Sequence, residues 1–145
     1  MDHYIEQGYK AIIMEWDNPR TAHPEWDENL KYYPQKLKGI KGEAIILIWA
    51  RSILFQQFQR YAHGEIGLDE YLQFMKNNIG TTKDGAIPIY SNDAEIFNFR
   101  PGRYKTEPLI KSDEWQLIET LFHYYNDHPD YELVLPSNLL QLVDH

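Results

Sequence analysis

Cysteine is absent from all 145 residues, which removes a disulfide framework, thiolate zinc sites and a cysteine nucleophile together. Long apolar runs are missing too. The longest, Ala44 to Ala50, is seven residues where about 20 are needed to cross a bilayer, so no membrane span is expected. The serines Ser52, Ser91, Ser112 and Ser137 lack a Gly-x-Ser-x-Gly elbow, and the glycines lack phosphate-loop spacing, so neither a hydrolase nucleophile nor a nucleotide cradle is signalled. The opening Met1-Asp2-His3-Tyr4 has no basic region leading into an apolar stretch. It does not read as a secretory signal, and cytoplasmic residence is the expectation.

The most informative scarcity is of positive charge. From Ser112 to His145 there is no lysine or arginine, while Asp113, Glu114, Glu119, Asp127, Asp130, Glu132 and Asp144 supply seven carboxylates. Proportion alone would place about three bases in a stretch of that length. Trp115, Phe122, Tyr124, Tyr125 and Tyr131 are interleaved with the acids, and large amphipathic rings beside charge are characteristic of recognition surfaces. Residues 1–30 are also acidic, with seven acids against two bases, whereas 31–111 carry twelve bases against eight acids. The net charge of −8 repels polyanions, so nucleic acid and anionic lipid are disfavoured partners.

What is present suits a packed fold: 43% of residues are hydrophobic and 14% aromatic, and the length fits a single compact domain over 1–145. Tyr4, Ile5, Tyr9, Ile12, Ile13 and Trp16 recur at helical spacing and predict a first helix over 2–16, stopped by Asn18-Pro19. Prolines and glycines between Asp17 and Gly42 predict a long connection with one helical turn at Pro24 to Leu30. Apolar residues continue from Ala44 through Tyr61 without a breaker before Gly64, and that length predicts one buried central helix, about 43–62. Further helices are expected over 69–78 and from a Ser112 cap to about Asn126, ended by His128-Pro129. A small β-hairpin or extended element near 86–100 (with a short helix as competitor), an extended stretch at 131–135 and a last helical segment from Ser137 complete the reading. The expected class is mainly α (α+β), with four to five helices around the central one. A Glu-Trp-Asp tripeptide occurs at both 15–17 and 25–27, but nothing around it repeats.

Three constellations could carry chemistry. Arg51, at helical spacing from Leu47, Leu54, Phe55 and Phe58, reads either as a pocket cation for a carboxylate or phosphate or as half of a buried ion pair. His23, Glu25, Asp27 and Glu28 have the ligand types for an oxygen-preferring metal or for acid–base work, yet carboxylates at a helix start explain them more simply. His123 and His128 diverge by about 140° on a helix and make no metal pair. Lys31, Tyr32, Tyr33, Lys36, Lys38 and Lys41, with a second basic group at Arg100, Arg103, Lys105 and Lys111, read as a nucleic-acid grip or as solvated loops and internal partners for the acidic ends.

The reading these residues favour is an acidic protein-binding module. Tyr124, Tyr125, Asp127, Asp130, Tyr131 and Glu132 would meet a basic protein partner, with no cofactor and no metal. In composition and charge, rather than in any motif, such a chain is similar to bacterial immunity proteins and antitoxins that block basic nuclease toxins. The alternatives are a small enzyme using His23, Glu25, Arg51 or His123 in a cleft between the central and C-terminal helices, and a nucleic-acid binder using 31–41 and 100–111.

Overall fold

The computed structural model describes residues 1–79, 85–91 and 112–143. They fall into two compact units: one gathers Met1–Ser52 with 85–88 and 134–143, the other 53–79, 89–91 and 112–133. The fold is α+β, but a buried central helix is not part of it.

The first unit is built on a sheet. Helix α1 (Asp2–Glu6) ends at Gly8, whose φ of +82° lets the chain turn back without a Cβ penalty. Strand β1 (Ala11–Glu15) follows, so the expected helix over 2–16 is a helical turn and a strand. After α2 (Asp17–Ala22) and a 3-10 helix (Glu28–Tyr32) come β2 (Gln35–Lys38) and β3 (Ala44–Ala50). Among the described residues the strand order is β1-β3-β2, with β1 parallel and β2 antiparallel to β3. Register places Ile12 beside Leu47 and Leu37 beside Ile45. On that face Trp16, Leu47 and Trp49 form a buried cluster joined by Ile12, Trp26 and Leu37. The Trp49 indole N–H donates to Gln35 Oε1 at 3.1 Å, so its polar edge is satisfied.

The central strand is where the sequence expectation fails. Residues 43–62 divide into β3 and helix α3 (Ser52–Ala62), with Arg51 alone at the joint. Ile45, Leu47, Ile48, Trp49 and Ala50 are all buried. A strand covered on both faces shows no alternation, and its continuous apolar run ran straight into the stripe of the following helix. Arg51 therefore does not share a helical face with Leu47. Glu15 of β1 takes over the start of α3: its carboxylate accepts the Ser52 backbone N–H at 2.9 and 3.1 Å and the Ser52 hydroxyl at 2.7 Å.

The second unit is helical. It comprises α3 from its second residue, α4 (Leu68–Ile79) and α5 (Glu114–Asp127). Leu54, Phe55, Phe58, Tyr61, Tyr71, Met75, Ile118, Leu121 and Tyr125 are buried. Ring contacts bind the helices to one another, Tyr61 to Tyr71 at 5.6 Å and Phe58 to Phe122 at 6.4 Å. Helices α4 and α5 form where their apolar stripes predicted, although α5 starts at Glu114 with Asp113, not Ser112, as its N-cap. Residues 131–135 form no strand, and the last helical piece is 3-10, over Pro136–Gln141. Of the element expected near 86–100, residues 86–91 have no regular structure and the rest lies outside the described residues.

Candidate functional site

Helix α5 sorts its residues by face. Ile118, Leu121 and Tyr125, spaced by three and four, are buried, while Glu119, His123 and Asn126 are exposed. Pro129 ends the helix by forcing His128 into extended backbone, at φ −86° and ψ 125°. The chain then turns, with the Tyr131 N–H donating to His128 C=O at 3.2 Å and the Asp130 N–H to His128 Nδ1 at 3.3 Å.

That turn closes a circuit of four rings. Tyr124 meets His128 at 5.3 Å, His128 meets Tyr131 at 4.9 Å, Tyr131 stands edge-on to Tyr125 at 5.1 Å, and Tyr125 meets Tyr124 at 5.6 Å. Tyr125 is the floor of the circuit and is buried, so it anchors the arrangement from the core and presents nothing to a partner. Tyr124 and Tyr131 are half-buried, and Asp127, Asp130 and Glu132 are exposed around them. The structure thus brings the rings of three of the six residues singled out in the sequence, Tyr124, Tyr125 and Tyr131, into contact and leaves the three acids exposed in the same stretch of chain.

Beside the circuit, Glu119, Phe122, His123, Asn126 and Leu133 line an open groove of about 330 Å³. Leu133 is 43% exposed. Apolar lining from Phe122 and Leu133 beside the Glu119 carboxylate, within a stretch holding no lysine or arginine, suits a cationic partner that also offers an apolar side chain.

Below this surface, burial pushes the Tyr71 hydroxyl up to about 12, and the facing Tyr125 is raised as well, by burial first and then by Tyr71. A phenol whose folded pKa lies above the unfolded value near 10 stabilises the fold fully below pH 10, and that contribution is lost as pH climbs toward the folded value. For Tyr71 the difference corresponds to about 3 kcal/mol, lost between about pH 10 and pH 12. Urea unfolding of the helical unit at pH 9, 10 and 11 is expected to show this fall, and Tyr71→Phe to flatten it. A wild-type profile as flat as the variant's would contradict the assignment.

The residues of the 23–28 cluster have partners within the first unit. His23 stacks flat on Trp26 at 4.6 Å and pairs with Glu25 at 3.1 Å. The Asp27 carboxylate accepts the Asn29 N–H and caps the 3-10 helix. Glu28 bridges Arg20 and Lys31, and the Lys31 ammonium, ahead of the Arg20 guanidinium, holds its carboxyl below the usual range. Among the described residues no group of three His, Cys, Asp or Glu side chains could hold a metal ion. Of the central helix expected to wall an enzyme cleft, residues 44–50 are strand β3 and only Ser52–Ala62 is helical, meeting α5 through Phe58 and Phe122. In the basic segment, Lys31 and Lys41 pair with Glu28 and Glu6, and Lys36 and Lys38 lie on β2. The second basic group, 100–111, lies outside the described residues.

Sequence reasoning missed one pair outright. His63 and Glu114 are buried together, with Nδ1 and Oε1 at 2.8 Å across 51 residues. Neither residue carried a local signal, since Glu114 read as an ordinary first-turn acid. Comparison with protein-family models, with curated proteins and with solved structures finds no match for this chain.

Proposed function

We propose that this chain is a protein-binding module that docks a basic partner on the C-terminal half of α5 and the turn after it. The observation that carries the proposal is the groove over Phe122 and Leu133 with the exposed Glu119 on its lining, in a stretch of chain whose other acids, Asp127, Asp130 and Glu132, are also exposed. The partner would place an apolar side chain in the groove and lysine or arginine beside Asp127, Asp130 and Glu132. Tyr124 and Tyr131 would cover the junction, since ring faces attract guanidinium and ammonium groups. In its finer form the proposal is a cytoplasmic inhibitor of a basic protein, as immunity proteins and antitoxins are, supported by charge and composition alone. Among the described residues, no helix is long and apolar enough to cross a membrane.

Charge reversal at all three exposed acids, Asp127→Lys, Asp130→Lys and Glu132→Lys, is expected to weaken partner capture about tenfold and to flatten its dependence on salt. The measurement is calorimetric titration with a partner identified by co-purification from the native host, or with a synthetic peptide carrying one leucine between lysines and arginines. Far-UV circular dichroism should be unchanged. Equal affinity and equal salt slope in the triple variant would sink the proposal.

A further inference from the structure

The two edges of the three-stranded sheet are built differently. The β2 edge reads Gln35-Lys36-Leu37-Lys38 and carries two lysines, a common guard against strand addition. The β1 edge reads Ala11-Ile12-Ile13-Met14-Glu15, with no lysine, no proline and no bulge. Ile13 is 53% and Met14 41% exposed.

The ladder fixes which backbone groups point outward. The Ile46 N–H donates to Lys10 C=O at 3.1 Å and the Trp16 N–H to Ala50 C=O at 2.9 Å, so the even-numbered residues of β1 face β3. Ala11 and Ile13 turn their N–H and C=O groups away from the sheet, and these make no hydrogen bond among the described residues. An apolar strand with a free row of donors and acceptors is a template for another strand.

We infer that β1 pairs antiparallel with β1 of a second copy of this chain, on a two-fold axis through Ile13. The outward groups dictate this register. Ile13 exchanges both hydrogen bonds with its counterpart, Ala11 faces Glu15, and Ile12 faces Met14, giving about six new backbone bonds. Exposed Ile13 and Met14 are then covered by apolar partners, as a self-complementary interface requires. Charge selects the orientation. Lys10 precedes the strand and Asp17 follows it, so an antiparallel copy brings opposite charges alongside, where a parallel copy would set like against like. Ser52 holds the Glu15 carboxylate in place, and in this register Glu15 faces Ala11 of the other copy rather than a second acid. The net charge of −8 on each copy opposes association at long range, so the dimer strengthens as salt screens it.

The absence of native cysteine makes the test clean. In the inferred register the two Ile13 Cα atoms lie about 5.5 Å apart, within disulfide reach, whereas the two Met14 Cα atoms lie about 8 Å apart, beyond it. Mild oxidation of Ile13→Cys is expected to give a disulfide-linked dimer at least tenfold faster than Met14→Cys. Sedimentation of the wild type should show a monomer of 17.3 kDa passing to a dimer as protein and salt rise. Ile13→Lys, on an exposed position, should stay monomeric with an unchanged circular dichroism spectrum. Equal cross-linking of the two cysteine variants, or a wild type still monomeric at about 0.5 mM in moderate salt, overturns the inference; a β1 edge covered by a different protein would give that result.

Discussion

Glu114→Ala is expected to destabilise the helical unit by about 3 kcal/mol, the upper end of the cost of leaving a buried polar group without its hydrogen-bond partner. Glu114 is fully buried and His63 is 3% exposed, so neither can turn to water when the other is removed. His63→Ala should cost a similar amount. Because both groups pay to leave water, His63→Leu with Glu114→Leu should recover most of the loss, apolar replacements of similar volume being often neutral. Urea unfolding of the two single variants and the double variant forms a cycle that isolates the coupling. Single losses below about 1 kcal/mol would show that the pair contributes nothing to stability. The pair joins the residue after α3 to the first residue of α5, so its loss should register in the near-ultraviolet signal of the helical rings.

Trp16→Ala should be at least as damaging to the sheet unit, at about 3–5 kcal/mol. Trp16 is 1% exposed and stands edge-on to Trp49 at 5.1 Å, with Trp26 at 6.1 Å. Truncation leaves a cavity that the two remaining indoles cannot fill, and edge-to-face aromatic pairs contribute about 0.5–1.5 kcal/mol beyond area. The backbone N–H that Trp16 donates to Ala50 survives the substitution, so the strand register is kept and the loss reports side-chain packing. Trp26→Ala, at a half-buried position, should cost about 1–2 kcal/mol. Thermal melts that rank Trp26→Ala equal to or worse than Trp16→Ala would refute this order.

The same residues show what was legible in the sequence. Helices α4 and α5 were readable because one face of each is buried and the other wet, which writes a 3.6-residue period into the chain. Strand β3 was not, because burial on both faces erases the period of two, and Arg51 and Ser52 mark the joint with α3 without glycine or proline. Strand β1 was hidden by coincidence: Tyr4, Ile5, Ile12 and Ile13 fit a helical stripe, and the break at Gly8 depends on a positive φ. At the candidate site the charge pattern singled out Asp127, Asp130 and Glu132 and the ring-rich stretch the tyrosines, but the burial of Tyr125 was not legible. The groove was not legible, since Phe122 and Leu133 meet only through the turn at Pro129. Nor was the pairing of Trp16 with Trp26, although the tripeptides containing them were visible.

The capping of Ser52 by Glu15 has a kinetic consequence. A helix normally carries its own start signal within one turn, so its first turn can form at any time. Helix α3 receives its cap from 37 residues upstream, and the partner is in place only after β1 has docked beside β3. Closing that loop costs chain entropy before it returns any bonding, and forming a first helical turn is already unfavourable on its own. The start of α3 is therefore expected to form late in folding, after the parallel pairing of β1 with β3. A peptide covering 51–62 alone lacks the upstream carboxylate and should fray from its first residue.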